Sequence, residues 1–225
     1  MKGDSLEKEN VCLTEEELYN LMKSFNGYGN PKAKIWLIGQ EENWGKDFSF
    51  DLEKEQYEYY SNKLTSFNDD YVANTFKKRI NCSGNTFEKG IVKIVSHFEN
   101  LDINNIDIKE ILKKVYVINY NFIPITLKSK NDIYKKFNKT KEEFNLDLTN
   151  RFAELIRMAK NNNVEKIFIL NRTYFYEIAR IIIANDELIN WDEGCVTYDG
   201  MKIYYSYHPS YHGFNNRFYK IKNKG

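Results

Sequence analysis

Four apolar runs in this chain each end in polar residues of complementary chemistry. Lys34-Ile-Trp-Leu-Ile-Gly39 has the β-branched and aromatic bias of a buried strand and delivers Gln40, Glu41 and Glu42. Val115-Tyr-Val-Ile118 ends at Asn119, with Asn121 close behind. Lys166-Ile-Phe-Ile-Leu170 ends at Asn171 and Arg172, and Lys202-Ile-Tyr-Tyr-Ser-Tyr207 runs into His208-Pro209-Ser210. A carboxylate can take a proton or orient water, a carboxamide offers donor and acceptor together, and an imidazole can donate near neutrality. In open α/β sheets the carboxyl ends of the strands are where ligands bind. Parallel strands would therefore gather a base candidate, amide readers and an imidazole donor along one rim. Taken singly, each of these residues also fits a turn former or a solvated loop charge.

Such a rim needs strands alternating with helices. Thr14-Glu-Glu-Glu17 is a capping box, with Leu18, Leu21, Met22 and Phe25 on one helical face and Gly27 as the stop. Gly29-Asn30-Pro31 makes a turn before the first strand. Helical stretches are expected over about 51–67 and 69–79, with loop over 81–85. A third stretch carries Phe87, Ile91, Ile94, Val95 and Phe98 on a stripe read as core. A helix over about 141–160 turns Phe144, Leu148, Phe152, Leu155 and Ile156 inward, and another starts at Thr173. Val196-Thr-Tyr198, the turn pair Asp199-Gly200 and the strand from Lys202 read as a hairpin. The fold class that follows is α/β, a three-layer α/β/α arrangement around a central, mostly parallel four-stranded sheet. It is expected as a single domain over residues 1–225, of which 1–26 form an N-terminal helical segment.

Composition narrows the function classes. The chain has 225 residues, enough for a substantial core, and 17 Tyr and 15 Phe to fill it. Lys and Arg number 33 against 32 Asp and Glu, a net charge of +1, so any nucleic-acid contact is a local patch rather than a basic coat. Cys12, Cys82 and Cys195 form no C-x-x-C pair, which argues against a zinc ribbon or iron–sulfur cluster and for buried free thiols in a reducing compartment. The charged first 17 residues contain no apolar signal-peptide core, and no run approaches the roughly 20 apolar residues of a membrane span. A cytoplasmic protein without metal, cofactor or membrane partner is the expectation.

The motifs resemble those of the uracil-DNA glycosylase superfamily, of which the chain looks like a divergent member. Gly39-Gln-Glu-Glu-Asn-Trp-Gly45 is similar to the family's first motif, G-Q-D-P-Y-H-G, with an acid kept at Glu41. Val117-Ile-Asn-Tyr120 is similar to the strand end whose Asn reads the base, His208-Pro-Ser210 to the H-P-S motif, and Tyr211-His-Gly-Phe214 to the later Y-R-G-F. The order agrees over roughly residues 26 to 218. The resemblance implies a monofunctional enzyme that flips a nucleotide out of DNA and hydrolyses its N-glycosidic bond. Glu41 would orient water towards C1′, Asn119 would read the O4/N3 edge, and His208 would donate to O2 as charge builds there. Gln40 and Asn43 would line the base pocket, and Phe48 or Phe50 would stack on the ring. Ser210, Tyr211, His212, Phe214 and Arg217 would touch DNA.

Two departures qualify that expectation. Asn43 stands where the uracil-specific branch has a tyrosine that crowds C5, so the substrate is expected to be a uracil-like or 5-modified pyrimidine. The residues that carry the family's leucine wedge are missing between Ser210 and Tyr211, which favours single-stranded or locally opened DNA, with Tyr211 or Phe214 as substitute wedge. The tail residues Arg217, Lys220, Lys222 and Lys224, interleaved with Phe218 and Tyr219, fit phosphate contacts or a solvated helix equally well. Glu42 in place of proline, with the lost wedge, keeps open a non-catalytic nucleic-acid- or nucleotide-binding module. A metal-dependent hydrolase using Glu41 and Glu42 is weaker, because no His/Asp cluster has ligand spacing.

Overall fold

A computed structural model of the chain describes residues 14–24, 27–39, 70–84, 86–102, 105, 107–122, 133–182, 189–190, 194–209, 211 and 213–222. The helix expected over 51–67 lies outside the described residues. One sheet contains β1 (Tyr28–Gly29), β2 (Ile35–Gly39), β3 (Val115–Asn119), β4 (Lys166–Ile169), β5 (Ile189–Asn190), β6 (Cys195–Tyr198) and β7 (Met201–Tyr205) in the order β1-β3-β2-β4-β7-β6-β5. Strands β3, β2, β4 and β7 are parallel, and they are the four apolar runs. Antiparallel β1, β6 and β5 extend that centre, so among the described residues the sheet has seven strands rather than four. The two-residue strands β1 and β5 are too short to show a period of their own; pairing with longer neighbours creates them.

Alternation along the strands assigns each side chain to one face. The helices are α1 (Glu15–Ser24), α2 (Asp70–Ile80), α3 (Phe87–Phe98), α4 (Ile108–Lys113), α5 (Lys141–Asn161), α6 (Arg172–Ile182) and α7 (Phe214–Lys222), with a 3-10 turn at Ile133–Phe137. Trp36, Ile38, Tyr116, Ile118, Ile167, Ile169 and Ile203 pack with Phe152 and Leu155 of α5 and Phe175 and Ile178 of α6. Ile35, Leu37, Val115, Val117, Phe168 and Tyr204 pack with Phe76 of α2, Ile91 and Val95 of α3, Ile111 of α4 and Phe214 of α7. The architecture is α/β, with helices covering both faces of the sheet. All five residues of β2 are buried, as befits a parallel strand covered on both sides.

Local signals fix the helix ends. The Thr14 hydroxyl accepts from the Glu17 amide (3.2 Å), and Glu17 Oε2 accepts from the Thr14 amide (2.7 Å). Thr140 and Glu143 repeat this box at the start of α5. Helix α1 docks Leu18, Tyr19 and Met22 onto Phe122, Phe137 and Phe144. Its last turn is tied down where Lys23 Nζ meets Asp147 Oδ1 at 2.5 Å and the Tyr19 hydroxyl donates to Oδ2 at 2.7 Å. Asp199 (φ 52°) and Gly200 (φ 83°) both sit in the left-handed region, the two-residue turn that a twisted hairpin favours.

Among the described residues, no helix is long and apolar enough to cross a membrane. Cys82 and Cys195 are free thiols, the first exposed and the second partly buried. The expectation of buried thiols therefore fails at Cys82, which sits in the turn after α2 with its sulfur 3.4 Å from the Lys78 carbonyl.

Candidate functional site

The carboxyl ends of the parallel strands emerge side by side. Gly39 of β2 is in register with Asn119 of β3, Ile38 with Ile169 of β4, and Ile169 with Tyr205 of β7. The chain thus leaves all four strands on one edge, the geometry on which a shared rim depends. Asn119, His208, Tyr211, Phe214 and Arg217 are described; Gln40, Glu41, Asn43, Phe48, Phe50, Ser210 and His212 lie outside the described residues.

Asn119 is held by the strand beside it. Its half-buried side chain lies across Gly39: a Cβ added to Gly39 would sit 2.4 Å from Asn119 Oδ1. Only a residue without a side chain leaves room for the amide there. The Tyr120 amide donates to the Gly39 carbonyl at 2.8 Å and fixes the backbone just past the strand end. A carboxamide so placed can offer a donor and an acceptor to a planar heterocycle. Asn171 has a different task. Its Oδ1 accepts from the Tyr174 amide at 3.2 Å and caps α6, so this side chain is a helix start rather than a reader at the rim.

His208 is positioned by α3. A Cβ at Gly90 would lie 2.1 Å from Pro209 Cβ and 2.5 Å from its Cγ, so a mid-helix glycine lets the His208-Pro209 loop press against the helix. The imidazole stacks on Phe87, with centroids 5.2 Å apart and planes 15° from parallel. Glu88, paired with Arg79 Nε at 2.9 Å, supplies the nearby negative charge. His208 keeps exposed area, but water displaced from around its ring pulls it below its ordinary pKa, while Glu88 opposes that shift. A neutral imidazole near pH 7 keeps one N–H to donate.

Phe87, Glu88 and Gly90 were not singled out as site residues by the sequence. Phe87, on the core stripe, is partly buried and packs against the core, and its ring also stacks under His208. A lone glycine inside an amphipathic helix was the one signal present, since such a residue commonly marks a close approach.

Two expected DNA contacts are corrected. Phe214 is 1% exposed, packed in the sheet–helix core, and its ring cannot enter a base stack. Arg217 is turned inward: Nε donates to the Tyr205 carbonyl at 3.1 Å, Nη2 to the Gly194 carbonyl at 3.3 Å, and the guanidinium lies 5.0 Å from the Tyr205 ring centre. Both follow from α7, whose Phe214, Phe218 and Ile221 form a buried stripe and so make this a docked helix rather than a solvated tail. Tyr211 remains at the surface, 46% exposed, its amide bonded to the His208 carbonyl at 2.8 Å.

Among the described residues, no group of His, Cys, Asp or Glu is arranged to hold a metal ion. Comparison with known protein families and with curated proteins gives no match.

Proposed function

We propose that this chain is a monofunctional DNA N-glycosylase that releases a uracil-like or 5-modified pyrimidine, a divergent relative of the uracil-DNA glycosylases. The observation that carries the reading is the Asn119 carboxamide held over Gly39, on the same sheet edge from which the chain runs on to His208. The motif resemblance gives these two residues the roles of base reader and O2 donor.

The chemistry is a hydrolysis. The C1′–N1 bond breaks and its electron pair leaves with the base, raising negative charge on O2. His208, neutral at pH 7, donates a hydrogen bond to that oxygen without surrendering its proton, an electrostatic role whose loss typically costs about 10²–10³ in rate. Asn119 pairs with the base edge and orders the leaving group. Glu41 orients water and takes its proton as hydroxide adds to C1′, leaving an abasic sugar and the base anion, which is protonated from solvent on release while Glu41 gives its proton back to solvent. No lysine in the motifs replaces that acid, so the sugar is not expected to be captured as a Schiff base.

The test uses oligonucleotides bearing uracil, thymine or 5-hydroxymethyluracil, treated with alkali after incubation. Strand cleavage by the wild type and not by Glu41→Gln is the expected result. Activity confined to uracil overturns the 5-modified assignment. The buried Phe214 and the missing wedge favour a second reading, a nucleic-acid-binding module without catalysis. Tight binding with no abasic product from any substrate establishes that module and ends the enzyme reading.

A further inference from the structure

We infer that Tyr207, Tyr211, Tyr176 and Arg172 form a stacking track for unpaired nucleotides, running along the surface beside His208. The proposal rests on the glycosylase reading for the identity of the polymer as DNA, and it adds where the rest of the substrate strand lies.

Among the described residues the large apolar side chains with substantial exposure are Leu146, Tyr207 (37%) and Tyr211 (46%). The two tyrosines are neighbours, with ring centroids 5.0 Å apart and planes at 51°. Tyr207 immediately precedes His208, and the Tyr211 amide donates to the His208 carbonyl at 2.8 Å, so the two tyrosines bracket His208 along the chain. Gly213 makes the arrangement possible. A Cβ there would lie 2.9 Å from Tyr211 Cε1 and 3.3 Å from Tyr207 Cδ2, so the glycine lets both rings lie down over the loop.

The platform is backed rather than loose. Tyr205 is buried 5.3 Å behind Tyr207, edge to face, and the inward-turned Arg217 clamps Tyr205 from below. Arg172 is exposed at the start of α6. Its Nε donates to the Tyr176 hydroxyl at 3.1 Å and its guanidinium lies 5.4 Å over that ring. Arg172 therefore stays charged and oriented, within electrostatic reach of the Tyr205 and Tyr207 phenols.

Exposed aromatic faces with a fixed cation alongside suit single-stranded nucleic acid, because every base has a π-face and every link a phosphate. A protein partner of ordinary affinity needs about 800 Å² per side, far more than two half-exposed rings supply. Duplex DNA keeps its base faces stacked and cannot use the rings.

Fluorescence anisotropy of the full chain with labelled oligothymidine, the matching oligouridine and a duplex of equal length tests this without catalysis. The expected result is tighter binding of the unpaired strands than of the duplex, weakened about tenfold or more in the Tyr207→Ser/Tyr211→Ser double variant. Arg172→Gln, a second exposed change, is expected to reduce the salt dependence of log K by about 0.7, one phosphate contact. Preference for oligothymidine over oligouridine assigns DNA, and the reverse assigns RNA to the same track. Unchanged affinity in the double variant, or equal affinity for duplex, overturns the track. Base release with undiminished binding in that variant leaves the glycosylase reading standing while the track falls. Ring-dependent binding without base release does the opposite.

Discussion

The Asn119 carboxamide occupies the space that any side chain at residue 39 would need, its Oδ1 lying 2.4 Å from where a Cβ would be. Residues 80 positions apart are thus one structural unit, set by the parallel register of β2 and β3. Gly39→Ala is expected to push the amide aside rather than unfold the sheet, since an Asn side chain turns about two bonds. The cost in stability should be about 0.5–1.5 kcal/mol, that of an off-rotamer side chain. The loss in base release should be about 100-fold, the usual consequence of a reading group misplaced by about 1 Å. Thermal unfolding and single-turnover excision measured on one preparation check this pair. Equal losses in both would show that the glycine serves only packing.

Gly90 and Pro209 make the opposite kind of contact. The atoms that a Cβ at Gly90 would meet belong to a rigid ring, and Pro209 Cα is itself only 3.2 Å away. Neither partner can turn aside. Gly90→Ala should therefore destabilise by about 1–3 kcal/mol through overpacking, despite the roughly 1 kcal/mol that alanine gains in a helix. For a chain of this size that is a fall in Tm of roughly 2–4 °C per kcal/mol, and it should come with weakened base release as the His208 loop is displaced.

What was legible in the sequence had local physics behind it. The box at Thr14, the apolar runs of the parallel strands and the Asp199-Gly200 turn each declare themselves within a few residues. Helix α4 did not, because six residues are too few to show a helical period, although Asp107 caps it from the Lys109 amide at 2.9 Å. Helix α7 misled because Lys220 sits between Phe218 and Ile221 and Lys222 follows, so charge masked an apolar stripe at positions 214, 218 and 221. Asn119 and His208 could be proposed from strand ends. Phe87 could not, since its partner is over 100 residues away, and Gly90 offers only a lone glycine inside an amphipathic helix, which does not say what approaches it.

His208 should titrate below 6.5, because displaced water penalises its cation. Glu88 holds negative charge nearby, and one of its carboxylate oxygens is buried without a hydrogen bond. Glu88→Gln removes the charge that favours the imidazolium and should move the titration lower still. With the folded pKa depressed, the fold keeps this group's full contribution above about 6.5 and loses it as pH falls through the folded value. NMR titration of the imidazole reads the shift directly, independent of any catalysis. The acidic limb of base release should move to lower pH in parallel. A His208 titration above 6.5, or an upward move in the variant, would contradict this account of the partly desolvated ring.

Asp147 joins α5 to the N-terminal helix through two bonds, from Lys23 at 2.5 Å and from Tyr19 at 2.7 Å. Burial alone raises this carboxyl, but the two donors more than offset it and hold the group below its ordinary 3.8. A depressed folded pKa means the stabilisation is fully present above that unfolded value and disappears as pH falls through the folded one. Lys23 is 38% exposed, so solvent screens the ion pair and Asp147→Asn should cost only about 1 kcal/mol at neutral pH. Urea unfolding at neutral pH should show that gap between wild type and variant. Repeated in acid well below pH 3.8, the two curves should converge, because the wild-type carboxyl is then protonated and no longer pairs with Lys23. A gap that persists in acid would assign the effect to packing of the side chain instead of its charge.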